Sequence, residues 1–172
     1  MKYIEYNKII FFKWKGLKLI DIDEEIVGHM ANPNNYGRLD DASSIGIGEN
    51  PQNGEKVIIY INVDKNDVGF KIANIAFEAI ACMTTVVAGS IITQEALGLS
   101  FEKAEELIAV TLGMLEHVDP EQAACSEMVA VALKAAIDGY LYSLEKGKKE
   151  TLIYKIEQSC NPKQAFNQEE KK

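Results

Sequence analysis

The stretch that decides the fold runs from Asn50 to Thr93, NPQNGEKVIIYINVDKNDVGFKIANIAFEAIACMTTVVAGSIIT. Inside it Val57, Ile59, Ile61 and Val63 recur at every second position, the spacing of a strand with one buried face. Two turn-rich joints bracket that strand, Asn50-Pro51-Gln52-Asn53-Gly54 before it and Asp64–Gly69 after it. Phe70–Ala79 reads as the next strand, although Ile75 and Phe77 fall on opposite phases to Ile72 and Ala76. Joints this short favour antiparallel neighbours. From Met83 the period changes: Val86, Val87, Ser90, Ile91, Gln94 and Leu97 fit a helix that ends at Gly98, a good residue for leaving a helix.

Outward from this core, Ser43–Gly48 gives a weaker strand signal that completes a three-stranded meander. Upstream, Asp21–Met30 reads as a short helix, capped by Asp21 or Asp23 and stopped by Asn32-Pro33, with a turn-rich loop to Asp41. Downstream, Ser100 opens a second helix whose stripe is Phe101, Ala104, Leu107, Ile108 and Leu112. The longest helix follows Asp119-Pro120, with Cys125, Met128, Val129, Ala132, Leu133, Ala136, Ile137 and Tyr140 spaced three and four apart. Thr151–Ile156 is expected to be helical and the end from Asn161 loose. Met1–Leu19 sets Ile10, Phe12 and Trp14 against Phe11, Lys13 and Lys15 in rough alternation and reads as an extra strand. Lys8, Lys13, Lys15 and Lys18 then form a solvated face that suits an acidic partner. The expected fold is α+β, a small antiparallel three-stranded sheet packed against several helices. Residues 20–146 form the domain, 1–19 an N-terminal extension and 147–172 a C-terminal extension, partly flexible.

The 172 residues suit one domain, and 47% hydrophobic content is enough for a core. Eighteen basic against 26 acidic residues give a net charge of −8, which argues against a nucleic-acid partner. No apolar run approaches the ~20 residues that span a bilayer, and no secretory signal is visible, so a cytoplasmic protein is expected. Three cysteines, Cys82, Cys125 and Cys160, are too few and too scattered for a disulfide framework. Cys82 falls between a strand and a helix, and Cys125 in the first turn or so of the long helix. Helix N-termini favour thiolates, the form that binds metals, although both cysteines also fit the apolar stripes as small buried residues. Cys160 reads as an incidental thiol in a polar tail. The two histidines, His29 and His117, have no motif tying them to either thiol, so an enzyme with a cysteine nucleophile is not the reading. His29 is expected to bond within the Asn-Pro loop or to cap a helix.

Four segments carry a family resemblance in order: His29–Gly37 (HMANPNNYG), Asn53-Gly54-Glu55 before a strand, Ala81-Cys82 with Ser90 and Thr93 downstream, and Cys125-Ser126 leading to Tyr140. Together they resemble the iron–sulfur cluster assembly scaffolds, the IscU type and the N-terminal domain of NifU, over about Ile20–Tyr142. That resemblance implies a binding protein, not an enzyme. It would hold an iron–sulfur cluster, of [2Fe–2S] type, or a zinc ion, receive sulfur from a cysteine desulfurase and pass the cluster to acceptor proteins. The family's ligands are three cysteines assisted by an Asp and a His. Here the first cysteine position is Asn53, the Asp position is Glu55 and the frequent His is Ala124, which leaves Cys82, Cys125 and Glu55 as the implied ligands. A homodimer would bring four thiolates to one cluster. The chaperone-recognition motif of IscU-type members is replaced by Val118–Gln122. The alternative reading is a degenerate scaffold fold that acts as a protein-interaction or regulatory module without a cluster.

Overall fold

The computed structural model describes residues 24–67 and 69–156. The expected N-terminal strand, the caps Asp21 and Asp23, Trp14, the lysine series and Cys160 lie outside them. The elements run α1 (Glu24–Ala31), β1 (Ser44–Glu49), β2 (Lys56–Asn66), β3 (Gly69–Ile80), α2 (Met83–Ala96), α3 (Phe101–Leu115), α4 (Pro120–Lys146) and β4 (Leu152–Lys155). The meander is present, β1 to β2 and β2 to β3 both antiparallel. The phase conflict in the third strand resolves as a bulge. Asn62 pairs with Asn74 and Val63 with Ile72, so Ala73 is the extra residue, and Ile72, Ile75 and Phe77 are all buried.

The sheet has four strands rather than three, in the order β3-β2-β1-β4. Thr151–Ile156, expected as helix, contains β4, which lies parallel to β1 with Ile47 opposite Ile153 and Gly48 opposite Tyr154. β4 is fastened at its far end: Ile156 N–H donates to Glu49 O at 3.0 Å, and the Tyr154 hydroxyl donates to Asp138 of α4 at 2.7 Å. The Asp138 bond, then burial, raises the pKa of that phenol.

One face of the sheet packs on the helices. Val57, Ile59, Ile61 and Phe77 meet Met128, Val129, Leu133 and Ile137 of α4 and Ala88 and Ile92 of α2 in one cluster. Glycine permits the approach in two places. A Cβ on Gly46 would fall on Ala136 N and Ala132 O, and one on Gly48 on Met128 O, so β1 rests against the backbone of α4. The helix starts follow the sequence. Ser100 caps α3 by accepting from Lys103 N–H at 3.3 Å, and Gly98 leaves α2 at φ +82°.

Candidate metal-binding thiol site

Three elements end at one edge of the sheet. Lys56, at the start of β2, pairs with Ile80, at the end of β3. Glu55 therefore precedes one strand where Cys82 follows the other. Cys82 is the N-cap of α2, with extended backbone at φ −69° and ψ 167°. Cys125 comes from α4, the sixth residue of that helix and so one turn deeper than expected. The two sulfurs are 3.5 Å apart, and neither is in a disulfide. Cys82 is exposed and Cys125 is 3% exposed.

The environment of Cys82 is set by the helix start. Burial raises its pKa, but four hydrogen bonds outweigh that: those of the Thr85 hydroxyl and amide, of Cys125 and of the Thr84 amide. The thiol is held below its ordinary value, as a cysteine at a helix N-terminus should be. Thr85 Oγ1 lies 3.5 Å from the sulfur and is itself fully buried. The sequence reading did not single it out. Its signal is position: three residues past an N-cap, a hydroxyl can reach back to the capping side chain.

The loop between β1 and β2 is held by its own backbone and by the side chains of Asn50, which accepts from Gln52 N–H at 3.0 Å, and Asn53. Asn50 N–H donates to Glu55 O at 2.8 Å, Gly54 N–H to Asn50 O at 2.9 Å, and Glu55 N–H to Asn53 Oδ1 at 2.9 Å. Asn53 is thus the acceptor of an Asx turn, and Gly54 sits at φ +76°. Among the described residues the buried polar side-chain atoms without a partner are Ser44 Oγ, Asn50 Nδ2 and Glu55 Oε2, two of the three in this loop. Such atoms are costly unless something binds them. No group of three His, Cys, Asp or Glu among the described residues stands close enough to hold an ion alone. The structure brings Cys82 and Cys125 together and puts Glu55 at the same end of the sheet.

His29 is buried, and its partner lies outside its own loop. Its Nδ1 is 2.7 Å from Ser90 Oγ on α2, and the same oxygen accepts from Asn34 N–H at 2.7 Å. Asn35 Nδ2 donates to Thr93 Oγ1 at 3.3 Å. The Asn-Pro loop is therefore fastened to the helix that Cys82 caps. It also joins the edge of β3, with Gly37 N–H to Phe77 O at 2.8 Å and Phe77 N–H to Asn35 O at 2.9 Å.

The model of the NifU-like N-terminal domain matches residues 21–147. The chain belongs to that family. Relatives agree: the iron–sulfur cluster assembly scaffold protein IscU 1 of Archaeoglobus fulgidus is 33% identical over 121 residues, 68% of this chain and 74% of that protein. The scaffold protein IscU of Haemophilus influenzae is 30% identical over 120 residues, 68% of this chain and 93% of its own. The N-terminal part of a nitrogen-fixing NifU-like protein from Brucella abortus shares the fold, with a TM-score of 0.53 at 15% identity over 76% of this chain and 100% of that one. In this member of the NifU-like family the matched region stops at Gly147, while β4, beyond it, completes the sheet. No helix among the described residues is long and apolar enough to cross a membrane.

Proposed function

We propose that this chain is an iron–sulfur cluster assembly scaffold whose cargo is bound by Cys82 and Cys125 with Glu55 beside them. The observation that carries the reading is the sulfur separation. Two thiolates on one tetrahedral ion, each ~2.3 Å from it, stand about 3.8 Å apart, and the two sulfurs are already 3.5 Å apart. A disulfide would need ~2.05 Å. Soft thiolates suit iron–sulfur and zinc chemistry, and the unpartnered Oε2 of Glu55 supplies a carboxylate at the same end. Two thiolates are two short of a closed site. A second copy would contribute the other pair to a [2Fe–2S] cargo.

An incomplete ligand set suits cargo that must leave, and the exposure of Cys82 leaves its metal bond open to exchange, an acceptor thiolate binding the metal as the Cys82 thiolate leaves it. A cysteine desulfurase is the sulfur source in this reading and iron–sulfur proteins the acceptors, in the cytoplasm. Binding and release need no catalytic residue of this chain.

Anaerobic reconstitution with ferrous iron and sulfide tests the site. We expect visible charge-transfer absorption and protein-bound iron, both lost in Cys82→Ser and in Cys125→Ser. Asn53→Cys should raise iron content and slow loss to a chelator, because Gly54 still supports the turn. That gain should vanish when Cys82→Ser is added. A colourless, iron-free parent protein would leave the chain a scaffold in fold only.

A further inference from the structure

Cys82 and Cys125 are 43 positions apart, so only the packing of α2 on α4 brings their sulfurs to 3.5 Å. The pair they form is asymmetric. Cys82, the N-cap of α2, is open to solvent, with the buried Thr85 Oγ1 3.5 Å from its sulfur. Cys125 is 3% exposed and follows the fully buried Ala123 and Ala124. A small molecule in water therefore meets the first sulfur and not the second. Reaching the ~2.05 Å of a disulfide requires the gap to close by about 1.5 Å. Cys82 can supply that movement, because rotation about its Cα–Cβ bond swings an exposed sulfur and leaves the core in place. An accessible thiol with a second, shielded thiol beside it is the arrangement that captures an oxidised sulfur before it is oxidised again.

We propose that Cys82 is a site of oxidation by hydrogen peroxide and that Cys125 is its resolving thiol, the two closing into a reversible disulfide. In the first step the Cys82 thiolate attacks one peroxide oxygen. The O–O bond breaks, hydroxide leaves, and a sulfenic acid remains on a sulfur that has lost two electrons to the peroxide. In the second step the Cys125 sulfur attacks the Cys82 sulfur. The S–S bond forms, the S–O bond breaks, and the Cys125 proton leaves with the hydroxide as water. A dithiol reductant returns both thiols and is itself oxidised to its disulfide. The bond forms whether or not the pair binds metal. Its consequence rests on the scaffold reading: a disulfide offers no thiolate to iron, and bound metal occupies the electron pairs that peroxide would need. Loading and oxidation then exclude one another, so peroxide blocks the empty scaffold and spares the loaded one.

The test treats the full-length, metal-free protein with hydrogen peroxide and reads intact mass and peptide maps. We expect the loss of two hydrogens, a Cys82–Cys125 crosslink within one chain, and the return of both thiols with dithiothreitol. Cys160→Ser, which removes the third thiol of the chain, should behave identically. Cys125→Ser should instead leave a Cys82 sulfenic acid that dimedone traps, or pass to the sulfinic acid with the gain of two oxygens. Cys82→Ser should leave Cys125 a thiol under the same treatment. A parent protein that gains oxygen at Cys82 while Cys125 stays a thiol overturns the proposal. So does a crosslink through Cys160 or between two chains, and so do two untouched thiols. Zinc separates this proposal from the scaffold reading. Where the pair holds metal, saturating zinc should block the crosslink. A protein that retains no zinc and crosslinks regardless would defeat the scaffold reading and uphold the disulfide.

Discussion

The seam between β1 and α4 and the thiol end of the same sheet are adjacent and built on opposite terms. In the seam, Gly46 and Gly48 meet the main chain of a helix whose own contributions, Ala132, Ala135 and Ala136, are fully buried. Main chain touches main chain, and no side chain can be added without moving one of them. At the thiol end, the loop from Asn50 to Glu55 is shaped by its backbone bonds and by the Asx turn of Asn53. An exchange at Asn53 gives up the Asx turn but leaves the two backbone bonds between Asn50 and Gly54–Glu55 in place. A frame that admits no Cβ resists drift, and a loop held in part by such backbone bonds tolerates an exchanged ligand. That contrast accounts for a chain whose family match spans residues 21–147 while asparagine stands at the first ligand position.

The sharpest way to break the contrast is to add one carbon in the seam. Gly46→Ala puts a methyl group onto Ala136 N and Ala132 O, and overpacking against rigid backbone should cost about 3 kcal/mol or more. Urea unfolding measures it. A loss under ~1 kcal/mol would mean that β1 and α4 part easily, and the contrast would dissolve. Between the two extremes stands Ser90. Ser90→Ala leaves the Asn34 amide without its acceptor and His29 Nδ1 without its partner. A loss on the order of 2 kcal/mol is expected, with faster amide exchange at Asn34. Unchanged exchange there would show that the loop holds to β3 alone.

The sequence carried the elements whose signal is local. Val57–Val63 alternates, Ser100 caps, Gly98 terminates, and the apolar period of α4 runs over several turns; each survives into the structure. β4 was misread because Leu152–Lys155 is four residues long and pairs with β1, about a hundred positions away. Its strand character comes from the open edge of β1 and from Asp138, which no local window contains. The two cysteines were legible as a pair through the resemblance, and their 3.5 Å separation only through the packing of α4 on α2. Ser90 was visible as part of a motif, but its service to His29 was not, since the two are 61 residues apart.

The smallest expected effect lies at Cys82 and probes how the helix start conditions the thiol. In the metal-free protein the folded-state pKa is below the ordinary 9.0, with burial opposing and the hydrogen bonds centred on Thr85 prevailing. Between the folded value and 9.0 the unfolded chain binds more protons, so stability rises with pH across that window and the increment is lost as pH falls through the folded pKa. The rate of Cys82 alkylation by iodoacetamide should reach half its limit below pH 9.0, well ahead of the buried Cys125. Thr85→Val keeps the shape of a fully buried side chain and removes only the hydroxyl. A hydrogen bond to sulfur worth roughly half to one kcal/mol corresponds to about half a pKa unit, so the profile should move up by that much and the window narrow with it. An unmoved profile would assign the depressed value to the amides of Thr84 and Thr85 together with Cys125. The thiol end would then be conditioned by main chain and its partner thiol, and would stand closer to the main-chain terms of the seam.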